Sequence, residues 1–287
     1  MRWQGGKRST NIDDRRGQRG GGRTGTRLRF GLLGTVGVVV VGLFAGVEPS
    51  TLFGFVTEEG GAPTSETAPA PRSAEEDQLA DMVAVVLGDT EDTWTRLFAE
   101  QGQTYQQPTL VFFTEAVQSA CGAQTAAVGP FYCPGDNQVY IDLGFFEELS
   151  TRFGAPGDFA QAYVVAHEVG HHIQNLTGVS TRVHRDRARL SETEANEMSV
   201  RQELQADCYA GVWGHHARER MLEPGDLEEG LRAAHAIGDD TLQRQATGTV
   251  VPESFTHGSA EQRSRWFRRG FDTGEMAACD TFGAQSL

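Results

Sequence analysis

The chain has 287 residues, of which 38% are hydrophobic, and this composition excludes a chain that is disordered throughout. Its formal net charge of −14 is unevenly distributed: residues 1–29 hold nine Lys or Arg and two Asp, a net charge of +7, so the remaining residues carry −21. A basic segment is typical of nucleic-acid binding or of membrane orientation. Since this one runs directly into an apolar stretch, we expect membrane orientation and no nucleic-acid partner.

Residues 30–47 contain no charge, and their length is close to the roughly 20 residues that cross a bilayer as a helix. A cleaved signal peptide is the alternative, but its basic segment is ordinarily much shorter. Because Arg and Lys favour the cytoplasmic side, we predict a basic cytoplasmic arm over residues 1–29, a single transmembrane helix over 30–47 and an extracytoplasmic body. Residues 48–76, rich in Pro, Ala, Ser, Thr, Gly and Glu, are predicted to be a flexible linker.

The folded domain is predicted to span residues 77–287 and to be α+β, mostly helical with a small sheet. Apolar residues at helical spacing predict that a helix opens the domain near residue 77. Branched and aromatic residues predict strands over residues 109–114 and 138–143. Two long and two shorter helices are predicted to follow, over about residues 158–177, 196–218, 225–237 and 259–269.

All four cysteines lie after the apolar segment, on the side expected to be outside the cytoplasm, where disulfides persist. Four cysteines permit three connectivities, and the sequence does not select among them. We favour pairs between Cys121 and Cys133 and between Cys208 and Cys279. Buried free thiols are the alternative.

The predicted helix at 158–177 contains the motif H-E-x-x-H as His167, Glu168 and His171. Four residues are a little more than one helical turn, so both imidazoles project from one face and can bind one zinc ion, with Glu168 beside them as general base. His172 is rotated by about 100 degrees from His171 and is expected to point away from the metal.

A catalytic zinc ion needs a third protein ligand and an open position for water. The second long helix offers Glu203 as this ligand, and Asp207, four residues later, can accept the free ring N–H of a zinc-bound histidine. The alternative is that Glu203 is a surface charge and Asp207 a local cap or ion pair. We predict one zinc ion per chain, bound by His167, His171 and Glu203.

Five segments carry a resemblance to a known family: HEVGHHIQN, ELQADCYAGVW, GPFYCPGDNQVYIDL, IGDD and FTHGSAEQR. Together they resemble the neutral zinc metallopeptidase family of membrane-anchored bacterial proteins, and the wider gluzincin class, in which a Glu from a second helix completes the site. The likeness extends over nearly the whole chain. It implies a zincin-like fold, zinc binding and proteolysis.

The predicted function is hydrolysis of peptide bonds in peptides or proteins, with Glu168 as general base. His257 is a candidate donor to the oxyanion, although a His beside Gly is more often structural; Tyr209 and His235 are further candidates. The strand at 138–143 is the candidate edge for pairing with an extended peptide. The alternative function is a non-catalytic zinc-stabilised peptide-binding or envelope assembly module, against which the intact Glu168 argues. The negative net charge would favour basic peptides, or it is only a solvated surface.

Overall fold

The computed structural model describes residues 1–17 and 73–287. The predicted transmembrane helix at 30–47 and most of the predicted linker at 48–76 lie outside these residues, so both stay predictions. Within the described ranges, no helix is both long enough and apolar enough to cross a membrane.

A four-stranded sheet and a separate hairpin form the β part of the fold. The strands of the described residues are β1 (Ile12–Asp14), β2 (Thr109–Phe113), β3 (Ala116–Ser119), β4 (Gly122–Thr125), β5 (Phe131–Cys133) and β6 (Gln138–Asp142). The sheet has the spatial order β1-β2-β6-β5, with β1, β2 and β6 parallel and β5 antiparallel to β6, and β3 and β4 form the hairpin. Leu110 pairs with Val139 and Phe112 with Ile141, and all four side chains are buried in the main core. The two predicted strands are confirmed as β2 and β6.

Helices make up most of the described chain. They are α1 (Ala74–Glu100), α2 (Gly144–Thr151), α3 (Asp158–Leu176), α4 (Val179–Arg187), α5 (Glu192–Met221), α6 (Asp226–Ala236), α7 (Asp239–Thr247) and α8 (Ala260–Thr273). The predicted α+β class, mostly helical with a small sheet, is confirmed. Helix α5 starts earlier than predicted because Ser191 caps it: the Ser191 hydroxyl accepts from the Glu194 N–H, and the Glu194 carboxylate accepts from the Ser191 N–H.

Helices α3, α5 and α8 pack against one another in the core. Gly270 of α8 lies so near α5 that a Cβ atom there would stand 1.9 Å from the carbonyl oxygen of Cys208. A Cβ atom at Gly170 of α3 would stand 2.8 Å from the carbonyl oxygen of Ala206 on α5. Because the atoms opposed to both glycines belong to the backbone, a side chain at either position would force the helices apart. The two glycines therefore set how closely these three helices approach.

Residues 1–17 are part of the same fold. Strand β1 extends the sheet beside β2, with Ile12 paired to Leu110. Ser9 is buried, and its hydroxyl donates to a carboxylate oxygen of Glu91 on α1 at 2.7 Å. These contacts join the N-terminal segment to both the sheet and the first helix.

The predicted separate basic arm is therefore wrong for residues 1–17, and the reason is electrostatic. Lys7 pairs with Asp92 at 2.6 Å, and Arg8 pairs with Asp81 at 2.7 Å, both on α1. Acidic side chains of the domain thus neutralise cations that the sequence alone assigned to the membrane surface. The domain begins with the N-terminal segment and is not confined to the predicted 77–287.

The localisation stays a prediction, but the fold places a condition on it. Arg16 lies 3.4 Å from a carboxylate oxygen of Glu76 and 3.2 Å from one of Asp77. The end of the first described range, 1–17, therefore contacts the beginning of the second, 73–287. A single crossing by residues 30–47 would place these two parts on opposite faces of the bilayer. The single-pass orientation therefore requires a state in which residues 1–17 are released from the sheet.

Replacing Ser9 by Ala is expected to lower the free energy of unfolding by about 1–3 kcal/mol, because a buried hydrogen bond to a carboxylate is lost. The matched control is Lys7→Ala, which removes an ion pair between two exposed side chains and should change this free energy by less than about 1 kcal/mol. Urea unfolding of the full chain measures both. Equally small effects would contradict the inclusion of residues 1–17 in the cooperative fold.

Candidate metal centre

Three donor atoms from two helices converge at one point. His167 and His171, one turn apart on α3, have their Nε2 atoms 3.2 Å from each other. Glu203 on α5 places Oε2 3.2 Å from the Nε2 atom of His167 and 3.4 Å from that of His171. The structure thus brings together all three residues that the sequence predicted as ligands.

This triangle fits a zinc ion. Ligand distances of about 2.0–2.1 Å in a tetrahedral site imply that neighbouring ligand atoms lie about 3.3 Å apart, close to the three distances observed. Two imidazoles and one carboxylate are also a donor set that catalytic zinc sites use. His167, His171 and Glu203 are therefore the residues that would hold the ion.

The other ring nitrogens are fixed by hydrogen bonds. Nδ1 of His167 lies 2.8 Å from Oδ1 of Asp207, the partner that the sequence predicted for a histidine. Nδ1 of His171 lies 2.9 Å from Oε1 of Gln174, which the sequence analysis did not single out. Because carboxylate and amide oxygens accept hydrogen bonds, both rings carry the proton on Nδ1 and direct Nε2 toward the triangle.

Asp207 is completely buried and is itself held by a cation. Arg263 of α8 donates from Nε to Oδ2 and from Nη2 to Oδ1, each at 2.9 Å, and the Tyr163 hydroxyl donates to Oδ1. Burial raises the pKa of Asp207, but the charges of Arg263 and His167 lower it by a larger amount, so its pKa lies well below the usual range. Asp207 therefore stays ionised and holds the ring of His167 in place.

Glu168 has a carboxylate oxygen without a partner. The side chain is 6% exposed, and among the described residues no group bonds to its buried Oε2 atom. Burial raises the pKa of Glu168, although the nearby histidines lower it, and the net pKa is above the ordinary value. A buried carboxylate beside a metal centre, without a hydrogen bond that would fix its proton, has the properties of a general base.

A cleft of about 940 Å³ lies over these residues. Its lining includes residues of the segment 126–134, which contains β5, and residues of α4, the short helix that connects the two ligand-bearing helices. Residues of α2 and α7 and His257 also line it. The cleft is large enough for a segment of several residues.

The strand at the edge of the cleft is β5, which corrects the sequence prediction. The predicted edge strand at 138–143 is β6, which lies between β2 and β5. Alternation of apolar residues identifies a strand but does not determine its neighbours, and β5 has only three residues. His172 is buried, as expected of a side chain that points away from the metal, and it joins β5 to α3: its Nδ1 lies 3.0 Å from the Tyr132 hydroxyl.

His257 lies in the lining of the cleft, and its ring is oriented by Asp239. The His257 Nδ1 atom is 3.2 Å from Oδ1 of Asp239, whose other oxygen accepts the His257 backbone N–H at 2.7 Å. The side chain is 53% exposed. The other two candidates, Tyr209 and His235, are not among the residues that line this cleft.

Both favoured disulfides are confirmed, between Cys121 and Cys133 and between Cys208 and Cys279. The first bond ties the turn of the β3–β4 hairpin to the end of β5, at the edge of the cleft. The second ties the middle of α5 to the C-terminal segment. No free cysteine remains in the described part of the chain.

Comparison with known proteins agrees with this geometry. The sequence model of the family described as "Putative neutral zinc metallopeptidase" matches residues 1–282. The chain belongs to this family. It is 50% identical over 288 residues to the uncharacterized protein YpfJ of Escherichia coli strain K12, covering 99% of each chain. An uncharacterized protein of Mycobacterium tuberculosis strain H37Rv is 41% identical over 244 residues, 80% of each chain. No solved structure matches the chain.

Without bound metal, the two histidines of this family member hold extra protons. Burial lowers the pKa of His167, but Asp207 and Glu203 raise it, so that its pKa is about 10. Burial also lowers the pKa of His171, and Glu203 raises it above the ordinary value. Burial raises the pKa of Glu203, but the two histidines lower it well below the usual range, so this carboxylate is already ionised. Only the histidines must therefore lose protons before they can bind zinc.

Zinc binding at pH 7 is thus expected to release about one proton per ion or more, mainly from His167. The pKa of His167 in the folded, metal-free protein is raised to about 10. As pH rises toward this value, zinc binding therefore releases fewer protons and the apparent affinity for zinc increases. Calorimetric titration in two buffers with different ionisation enthalpies measures the number of protons. A binding heat that does not depend on the buffer would contradict the assigned protonation states.

Proposed function

We propose that the protein is a zinc-dependent peptidase with a zincin-like fold, of the gluzincin type in which a Glu on a second helix completes the metal site. The observation that carries this proposal is the triangle of His167, His171 and Glu203 with the unpartnered carboxylate of Glu168 beside it. A purely structural zinc site has four protein ligands and needs no base. Here three ligands and a base line an open cleft.

When bound, zinc would supply a Lewis acid that polarises the scissile carbonyl and lowers the pKa of a water molecule. Glu168 accepts the proton of the attacking water on Oε2 and delivers it to the nitrogen of the departing amine. Because burial raises the pKa of Glu168, its carboxylate accepts a proton more readily than that of an exposed Glu. Asp207 keeps His167 in the required tautomer throughout.

His257 is the proposed donor to the oxyanion. Burial lowers the pKa of His257, but Asp239 and Glu203 raise it above the ordinary value, which favours a protonated ring at neutral pH. Asp239 accepts from Nδ1, so Nε2–H is left to donate to the negative oxygen that forms in the transition state. The half-exposed ring in the cleft wall is accessible to a substrate.

The substrate is proposed to lie along β5. This strand is at one end of the spatial order of the sheet, so one of its sides is unpaired among the described strands. An extended peptide can add to such an edge through main-chain hydrogen bonds, which require no particular side chains. Phe131 and Tyr132 of β5 line the same cleft as His167 and Glu168, so a peptide paired there would reach the metal centre.

Glu168→Gln is expected to keep one zinc ion per chain and to lower kcat on a mixed peptide library by about 10²–10⁴-fold, because the base is lost while the ligands remain. The matched control is Glu192→Gln, which changes an exposed Glu at the start of α5 and should leave both properties unchanged.

His257→Ala, measured in the same assay, should lower kcat by about 10²-fold or more with little change in KM, because a donor to the oxyanion is lost.

Each result of this experiment has a distinct meaning. A Glu168→Gln variant that retains zinc and cleaves peptides at the wild-type rate would contradict the role of Glu168. A wild-type protein that binds zinc and peptides but cleaves none would instead support the alternative of a peptide-binding or envelope assembly module. A wild-type protein without zinc would contradict both.

A further inference from the structure

The cleft does not share the excess of acidic residues in the whole protein: the described residues that line it include three Arg and three Glu. The chain carries a formal net charge of −14, which on its own favours basic ligands. Outside the metal centre, however, the only acidic residue among the described residues that line the cleft is Glu148. Glu148 of α2 lies 3.5 Å from Arg152, the residue that follows the end of this helix, so it is already paired with a cation.

The cations of the lining differ in whether their charge is compensated. Arg263 is neutralised by the buried carboxylate of Asp207. Arg187, at the C-terminal end of α4, is exposed and makes no side-chain hydrogen bond or ion pair with any residue that the structure describes. His184 stands one turn before it in the same lining. The uncompensated charge of the cleft wall is therefore positive and lies on α4.

Helix α4 presents this charge to the cleft through its periodicity. Ser180, Val183, His184 and Arg187 all line the cleft, and their spacing puts them on one helical face. Val183 is 2% exposed and anchors this face against the body. Since α4 joins α3 to α5, which carry the metal ligands, its position relative to the metal centre is constrained at both ends.

The remaining charges of this helix are occupied elsewhere. Arg185 pairs with its neighbour Asp186 at 2.9 Å, and neither residue lines the cleft. Arg182 lies over the ring of Phe282 at 4.5 Å from its centroid. Arg187 is thus distinguished from the other arginines of α4 both by its place in the cleft and by the lack of a described partner.

Much of the remaining lining is apolar. It includes Val128, which is 49% exposed, together with Pro130, Phe131 and Phe153. A peptide in the cleft can therefore contact both a guanidinium and hydrocarbon. An arginine binds a planar carboxylate through two parallel N–H···O hydrogen bonds. The amide of a Gln or the ammonium group of a Lys in the peptide cannot accept this pair of bonds.

We propose that this cleft selects peptides that carry a carboxylate, and that Arg187, assisted by His184, is the specificity-determining residue. The proposal rests on the proposed peptidase function and names its substrate class. The carboxylate comes either from an Asp or Glu side chain or from the C terminus of the peptide. Net charge, which favours basic peptides, is a poor guide here because, apart from Glu168 and Glu203 at the metal centre, the acidic groups of the described residues lie outside the cleft or are paired.

The test uses the full zinc-loaded chain and a set of quenched fluorescent peptides that differ at one position near the cleavage site, as Glu, Gln or Lys, each with a free or an amidated C terminus. If the side chain supplies the carboxylate, kcat/KM for the Glu peptide should be about tenfold or more above that for the Gln peptide, and above that for the Lys peptide by a larger factor, with either C terminus. If the C terminus supplies the carboxylate, each peptide with a free C terminus should be cleaved with a kcat/KM about tenfold or more above that of its amidated form, whichever residue stands at the variable position.

Arg187→Gln should bring the carboxylate peptide to within about threefold of its neutral counterpart, while kcat/KM for the neutral peptide stays near the wild-type value. Arg187→Glu should reverse the order in favour of Lys. The matched control is Arg185→Gln on the same helix, which should keep the wild-type preference. Equal cleavage of the carboxylate and neutral peptides by the wild type, or an unchanged preference in Arg187→Gln, would overturn the proposal.

Peptide binding to the zinc-loaded Glu168→Gln protein, followed by fluorescence anisotropy, separates this proposal from the proposed function. Preferential binding of carboxylate peptides without any cleavage by the wild type would contradict the peptidase and leave the recognition intact. Cleavage without a carboxylate preference in either assay would support the peptidase function and contradict the proposed recognition of carboxylates.

Discussion

The metal centre depends on the close contact between α3 and α5 at Gly170. This glycine lies between the two histidines of the motif, and the backbone of Ala206 that it meets lies between Glu203 and Asp207. The helices therefore touch within both pairs of functional residues. The side chain of a glutamate can reach the imidazoles only when the two backbones approach this closely. A single methyl group at Gly170 would act directly on the distances within the triangle.

A second constraint is the buried charge that orients the triangle. Asp207 and Arg263 bring a carboxylate and a guanidinium into the core, which is costly unless the geometry is good. The bidentate contact and the Tyr163 hydroxyl satisfy both oxygens of the carboxylate. Helix α8 is thereby tied to the metal centre although it contributes no ligand. The close packing at Gly270 and the disulfide of Cys208 hold the same region of α5 in place.

Local patterns in the sequence were sufficient to predict which residues converge at the candidate metal centre. The spacing of His167 and His171 determines that they share a helical face, and the same periodicity places Glu203 and Asp207 on one face of α5. The class of the fold, the two central strands and both disulfides were also predictable. The positions of Gln174 and Arg263 were not, because an isolated Gln or Arg in an amphipathic helix has the same local pattern whether it faces solvent or a buried carboxylate. Which strand lies at the edge depends on long-range pairing, which alternation does not encode.

Charge was the least reliable guide. The basic N-terminal segment pairs with acidic residues of α1, so its first 17 residues are structural and do not form a separate arm. The excess of acidic residues in the whole protein likewise does not extend to the cleft, where the described lining residues include three Glu and three Arg. In both cases the net charge of a segment was known, but its partners were distant in the sequence. Only the packing of the domain determines which charges remain available to a ligand.

X-ray absorption at the zinc K-edge, measured on the full chain, tests the metal centre most directly. We expect one zinc ion per chain with two imidazole nitrogens and carboxylate oxygen at about 2.0–2.2 Å, and loss of the protein oxygen in Glu203→Ala. A protein that retains no zinc, or an identical zinc environment in wild type and Glu203→Ala, would contradict this expectation.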